Sequence, residues 1–196
     1  MTALDPTTRL PVGGVDLIYA GTQGIVEGRL HTQPGAKGLV IIAYPTAYSR
    51  FGRNDEVLCA IAHERGYSTL SVDLLTPEEM TGRTEELSGR LLQRLLAVLE
   101  DSDRRGQNGL CVFAIGEAAP AAIAAADVHE VIATVTCRVP GTVGQGGVDL
   151  DHVASNVWES TPAPGTPMTW ADADQAMRRA LVRFDVELAR RSVVIS

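Results

Sequence analysis

Two uninterrupted apolar runs in the middle of the chain constrain its fold more than any other feature. They cover residues 39–43 and 110–115, and a third strand pattern covers residues 67–75. A strand that is apolar on both faces has to be buried on both faces, as in parallel sheets that are covered by helices. Helix patterns alternate with these runs, which predicts an α/β protein: a three-layer α/β/α sandwich with a mostly parallel sheet.

The rest of the chain extends this pattern at both ends. We expect helices over residues 53–65, 84–101, 120–126 and 170–191, a sixth strand over 131–137, and a hairpin or pair of edge strands over 15–19 and 25–31. Glycines and prolines between residues 140 and 167 leave little periodicity there. The predicted organisation is one domain over residues 1–196, divided into N-terminal edge strands (1–37), core (38–140), irregular loop (141–168) and C-terminal helix (169–196).

Composition excludes several classes of function. The 196 residues carry a net charge of −7, which disfavours binding to nucleic acid. No apolar run approaches the ~20 residues of a membrane helix, and the first ten residues show no pattern of a secretory signal. With three widely spaced cysteines, we expect reduced thiols and a cytoplasmic location. No phosphate-binding or dinucleotide motif occurs, and Asp149, Asp151 and His152 lack a third type of donor at ligand spacing, so we predict no cofactor and no metal site.

Residues 38–140 resemble the dienelactone hydrolase branch of the α/β-hydrolase family. Residues 39–54 are similar to its third strand and oxyanion loop, with Ser49-Arg50 and Arg53-Asn54 placed as in that branch. Residues 71–79 are similar to its fourth strand and the acidic turn beyond, and residues 111–120 occupy the place of the nucleophile elbow. The resemblance implies a reduced α/β-hydrolase-like sandwich in which two late strands are missing.

The resemblance fails at the residues that react. The family pattern is G-x-S-x-G, whereas this chain reads Gly-Glu-Ala-Ala-Pro from residue 116, which puts Ala118 in the place of the nucleophile. The oxyanion loop reads Tyr-Pro-Thr-Ala from residue 44, and Pro45 has no N–H to donate. No strand with a following acid is evident after residue 137, and the last histidine is His152. We therefore expect a non-hydrolytic protein without a Ser-His-Asp triad.

We expect either a small ligand or a protein partner to occupy the crevice. If the ligand is an anion, the guanidinium group of an arginine would suit it. Arg50 and Arg53 either hold that anion or form salt bridges with Asp55, Glu56 or Asp73. The predicted ligand-binding residues are Tyr44, Thr46, Arg50, Arg53, Asn54, Glu117, Ala118 and Arg138.

An alternative is an enzyme of hydrolase, lyase or isomerase type in the same cleft. Glu117 is its candidate base, although a glutamate there also suits the first turn of a helix. Cys137 beside Arg138 is the other candidate, because a neighbouring cation lowers the pKa of a thiol, although without a histidine partner a packed strand cysteine is the favoured interpretation. The N–H groups of Thr46 and Ala47 would stabilise an oxyanion.

The sixth strand raises a question of assembly. If the sheet ends with residues 131–137, that strand is a bare apolar edge, and such edges aggregate unless they are covered. We expect that either the C-terminal helix covers it or two chains pair across it as a homodimer.

Overall fold

The computed structural model describes residues 14–21, 24–81, 87–106, 109–129, 133–137, 157–160 and 170–194. In these residues one mixed sheet of seven strands has the order β1-β2-β4-β3-β5-β6-β7. The strands are β1 (Val15–Gly21), β2 (Gly24–His31), β3 (Leu39–Tyr44), β4 (Ser68–Asp73), β5 (Leu110–Ile115), β6 (Ala133–Cys137) and β7 (Val157–Ser160). The helices are α1 (Arg53–Glu64), α2 (Leu87–Arg104), α3 (Ala118–Val128) and α4 (Trp170–Val194).

The sheet is parallel from β4 to β7, and the antiparallel β1–β2 hairpin is added beside β4. Every residue of β3, β4 and β5 is buried, as the uninterrupted apolar runs predict for strands that are covered on both faces. Helices α2 and α3 pack on one face, and α1 and α4 pack on the other. The predicted three-layer α/β/α sandwich is therefore confirmed.

The far edge of the sheet differs from the prediction. Strand β7 pairs in parallel with β6, with Val135 opposite Trp158 and Cys137 opposite Ser160. The segment 141–168 thus contains a strand, and β6 is not an edge. Helix α4 contacts β6 and α1 and lies on the face of the sheet. The prediction that α4 or a second chain has to cover β6 was therefore wrong, because β7 supplies the missing hydrogen-bonding partners.

Helix α4 is fastened to its face by an aromatic and polar contact near the amino ends of the parallel strands. The Phe184 ring stacks on Tyr67 with centroids 4.9 Å apart. The neighbouring Asp185 accepts hydrogen bonds from the Tyr67 hydroxyl (2.6 Å), Lys37 Nζ (3.0 Å) and Arg65 Nη1 (3.2 Å). These contacts fix the helix opposite the edge at which ligands bind in sheets of this kind.

Among the described residues, no helix is long and apolar enough to cross a membrane.

Candidate functional site

The candidate site lies where β3, β4 and β5 end. Tyr44 closes β3 opposite Asp73 of β4, and Ala43 pairs with Ala114 near the end of β5. The three connections that leave these strands therefore start side by side. In open α/β sheets the crevice outside the carboxyl ends of the strands is where ligands bind.

The structure of the turn between β5 and α3 differs from what was predicted for Ala118, the residue in the place of the nucleophile. Gly116 carries the positive φ of 59°, a conformation that suits glycine, whereas Glu117 has helical angles. Helix α3 begins at Ala118, which is fully buried in the apolar cluster beside α2. The prediction that Ala118 presents its methyl group to the cleft and contacts a ligand was therefore wrong.

Glu117 sits at the carboxyl edge as predicted. It occupies the N-cap position of α3, and its side chain is half-buried and makes no capping hydrogen bond. A carboxylate here still lies at the positive end of the helix dipole. The geometry leaves both interpretations of Glu117 open: complement to the helix end, or a group that meets a ligand.

Arg50 is an internal ion-pairing residue. Its buried guanidinium bonds to Asp73 and to Glu27, and its backbone N–H donates to Asp73 Oδ1 at 3.3 Å. Burial raises the pKa of Asp73, and the bonds from Arg50 counteract that rise. The salt-bridge alternative therefore holds, with Asp73 rather than Asp55 or Glu56 as the acid, and Arg50 offers no free fork to an anion.

Tyr44 is also occupied by the protein itself. The ring is buried, and its hydroxyl donates to Asp55 Oδ1 at 3.0 Å. The prediction that Tyr44 binds a ligand was therefore wrong. Arg53 and Asn54 remain exposed in the first turn of α1, where a ligand can reach them.

The loop after β3 presents exposed apolar side chains that were not among the predicted site residues. Tyr48 has a left-handed φ of 64° and is exposed, as is Phe51 in the 3₁₀ turn Ser49–Phe51. The Ala47 N–H, a predicted oxyanion donor, points at Met80 Sδ at 3.4 Å. The Thr46 hydroxyl shares a 2.6 Å hydrogen bond with Ser49. The loops after β3 and β4 thus touch through Met80, which is itself exposed.

The described histidines lie at the opposite edge of the sheet. His63 Nε2 is 3.1 Å from Thr69 Oγ1, near the start of β4, and burial lowers its pKa to about 4. His31 lies beside His63, with ring centroids 6.1 Å apart. His129 follows α3 and bonds to Asp103 near the end of α2. None of these three rings lies at the carboxyl edge, and His152 is outside the described residues.

Two of the described cysteines are structural. Cys59 and Cys111 are free, buried thiols, and burial raises the pKa of each to about 12. Such thiols are inert at neutral pH. Cys137 ends β6 beside Ile115, the last residue of β5, and Arg138 lies outside the described residues, so their predicted pairing stays a prediction.

Comparison with solved structures identifies the fold. A dienelactone hydrolase from Anabaena variabilis matches with a TM-score of 0.55 and 23% identity over 63% of this chain and 62% of its own length. An α/β serine hydrolase without a lid from Xanthomonas campestris matches at 0.57, with 15% identity, over 76% of this chain and 72% of that one. An α/β serine hydrolase homologue from Coxiella burnetii matches at 0.58, with 16% identity, over 86% and 96%.

This chain has the α/β-hydrolase fold. The resemblance to the dienelactone hydrolase branch is thereby confirmed at the level of the fold. No protein-family model matches the chain, and no curated protein matches it in sequence. The chain spans slightly less than two thirds of the Anabaena enzyme.

The α/β-hydrolase fold directs attention to the turn between β5 and α3. In enzymes of this fold the nucleophilic serine stands on a sharp, strained strand-to-helix turn. Here the residue with the left-handed backbone is Gly116, followed by Glu117 and Ala118. Whichever of the three is matched to the nucleophile, the side chain is not a hydroxyl or a thiol. Strand β7 follows β6, contrary to the prediction, but its acid, Glu159, lies within the strand and not after it.

A cavity of about 380 Å³ opens elsewhere on this α/β-hydrolase fold, between the β1–β2 hairpin and α2. Ile18, Tyr19, Arg94, Asp101 and Arg105 are among its lining residues. None of the predicted site residues lines it. Among the described residues, no group of three histidine, cysteine or acidic side chains is placed to hold a metal ion.

Proposed function

We propose that this protein is a non-hydrolytic relative of the α/β serine hydrolases that binds a small ligand or a protein partner at the carboxyl edge of its sheet. The observation that carries the proposal is the turn Gly116-Glu117-Ala118, where the fold's nucleophile belongs. A backbone hydrogen at Gly116 and a buried methyl at Ala118 cannot attack a carbonyl carbon. The described histidines, at the other edge, do not supply a base to this turn.

The surface around the turn suits binding more than group transfer. Thr46, Arg53, Asn54 and Glu117 are the predicted site residues that keep exposed or half-buried side chains there. Because Asp73 and Glu27 neutralise Arg50, attraction for an anionic ligand rests on Arg53 and the start of α1. The exposed rings of Tyr48 and Phe51 favour a ligand with an apolar part.

Two measurements on the natural chain test the proposal. A fluorophosphonate probe should leave the protein unlabelled, and p-nitrophenyl acetate and butyrate should be hydrolysed no faster than in buffer with denatured protein. Stoichiometric labelling of a serine would refute the proposal. For binding, a panel of small molecules should shift backbone amide resonances of Thr46, Arg53, Asn54 and Glu117 together. Shifts confined to another surface would remove the site.

A second candidate, an enzyme that uses Glu117, is favoured by one observation. The Glu117 carboxylate is half-buried at the edge and makes no capping hydrogen bond, so a substrate can reach it. Glu117→Gln keeps the shape of the side chain and removes its basicity. If a turnover is found, this variant should abolish it and leave the melting temperature unchanged, with Glu56→Gln on the exposed face of α1 as the control. Unaltered turnover in Glu117→Gln would rule the candidate out.

A further inference from the structure

A carboxyl group lies buried beneath the candidate site with only neutral donors around it. Asp55, in the first turn of α1, is 3% exposed. Its Oδ1 accepts hydrogen bonds from the Tyr44 hydroxyl at 3.0 Å and the Ser71 hydroxyl at 2.5 Å. Its Oδ2 faces Cys59 Sγ at 3.7 Å. Strands β3 and β4 and helix α1 therefore meet at this one carboxyl group.

The charged groups around Asp55 do not offset the cost of burying a negative charge on its carboxyl group. Among the described residues, no lysine, arginine or histidine forms an ion pair with Asp55. The nearby cation Arg50 is bound to Asp73, and Asp73 acts on Asp55 as a like charge. Tyr44 and Cys59 are neutral and would become anions if they ionised. The positive end of α1 favours an ionised Asp55, but a helix terminus offsets only a small part of the cost of burying a charge.

The balance of these effects raises the proton affinity of the carboxyl. Burial raises the pKa of Asp55 to about 6, although the hydrogen bonds from Ser71, Tyr44 and Cys59 lower it. A protonated Oδ2 can donate toward the Cys59 sulfur while Oδ1 keeps both hydroxyl donors. The neutral state thus satisfies every atom of the group.

The position of Asp55 links this proton to the loop at the site. Tyr44 ends β3, Asp55 is the third residue of α1, and the hydrogen bond between them joins the two ends of the loop 45–52. That loop contains the left-handed Tyr48 and the exposed Phe51. Any change in the bond at its base acts directly on the residues that border the candidate site.

We propose that Asp55 is a buried proton-binding site whose protonated form holds the loop 45–52 closed at its base. Protonation stabilises the fold, and ionisation as the pH rises toward neutral loosens the loop. This inference does not depend on what binds at the carboxyl edge, or on whether anything does.

The sign of the pH dependence follows from the raised pKa. Folding takes up a proton between the ordinary pKa of 3.8 and the folded value of about 6. The stabilisation by the proton is complete below pH 3.8 and is lost as the pH rises through 6. Asp73 and Asp174 have raised pKa values as well and change stability in the same direction, so a comparison with a variant is required to isolate Asp55.

The first experiment measures urea unfolding of the natural chain and of Asp55→Asn from pH 4 to pH 8. The asparagine keeps an oxygen for Tyr44 and Ser71 and does not ionise. The ratio of the two unfolding constants should change about 50-fold between pH 4 and pH 7, in favour of the variant at pH 7. Asp185→Asn is the control: burial raises the pKa of Asp185, but the hydrogen bond from the Tyr67 hydroxyl and the bonds from Lys37 and Arg65 hold it below its usual value, so this variant should lose stability relative to the natural chain toward neutral pH. Parallel curves for the natural chain and Asp55→Asn would overturn the proposal.

Two readouts on the natural chain do not require that the variant folds. The side-chain carboxyl carbon of Asp55 should titrate by NMR with a midpoint near 6, and a midpoint below 4.5 would overturn the proposal. Hydrogen exchange at the amides of Phe51 and Gly52, which bond within the loop, should be faster at pH 7.5 than at pH 5 after correction for intrinsic rates. Equal protection at both pH values would show that the proton does not act on the loop.

Discussion

Glu79 holds the connection between β4 and α2, and its removal gives a sharp test of the electrostatics of this fold. Its carboxylate receives two bonds from Arg94, of 2.6 and 2.8 Å, and one of 2.9 Å from Arg90. It also accepts the Thr76 N–H at 2.9 Å. Arg94 is 3% exposed and donates to the Leu74 carbonyl as well. The variant Glu79→Gln would remove the negative charge that faces this buried guanidinium.

The magnitude follows from the pKa of Glu79. Hydrogen bonds from Arg94 are the main cause that lowers this pKa from 4.5 to about 2. That difference corresponds to about 3 kcal/mol. Because a fifth of the Glu79 side chain is exposed and solvent screens part of the attraction, we expect Glu79→Gln to lower the free energy of unfolding by about 2 kcal/mol at pH 7.

Urea unfolding with unchanged m-values is the assay. A lowered pKa contributes stability above pH 4.5 that is lost as the pH falls through about 2, so the difference between natural chain and variant should shrink from pH 5 to pH 3. Glu78→Gln, one residue earlier and fully exposed, should leave the urea midpoint close to that of the natural chain. If Glu79→Gln matched Glu78→Gln at pH 7, the argument that Arg94 depends on its counter-charge would be refuted.

Two further variants test the core and the loop at the site. Phe184→Ala should cost about 4 kcal/mol of unfolding free energy, because it removes a fully buried ring that stacks on Tyr67. Thermal unfolding measures this cost, and Val182→Ala on the exposed side of α4 is the control. Equal losses of unfolding free energy in the two variants would mean that the Phe184 ring does not anchor α4. Arg50→Met should cost about 3 kcal/mol at pH 7 and less at pH 4, because Asp73 then remains buried without its cation and takes up a proton at low pH. A loss that does not vary with pH would show that Asp73 is not the residue left uncompensated.

Local patterns were sufficient to predict most of the fold. The apolar runs that became β3 and β5 predicted buried strands, and the helix patterns predicted α1, α2 and α4 to within a few residues, because side-chain periodicity depends on neighbours along the chain. The hairpin of β1 and β2 followed from glycine placement.

The candidate site could be predicted only in part. Glu117 and Arg53 lie at the carboxyl edge as expected, whereas Tyr44 and Arg50 face inward toward acids. The sequence shows that Tyr44 and Arg50 are present, but not which acidic side chain each of them contacts in the folded protein. Met80 was missed altogether, because its contact with the loop after β3 joins residues far apart in the chain.

By itself the sequence determined most of the strands and helices, and that no serine stands at residues 116–118. Both are properties of neighbouring residues and need no partner. Only the tertiary structure decided that β7 covers β6, that Ala118 is buried, and that Asp55 lies among hydroxyl groups without an ion pair to any described cation. These outcomes depend on contacts between residues that are far apart in the chain. The free energies of burial and of charge compensation are set by the side chains that the fold places around each residue.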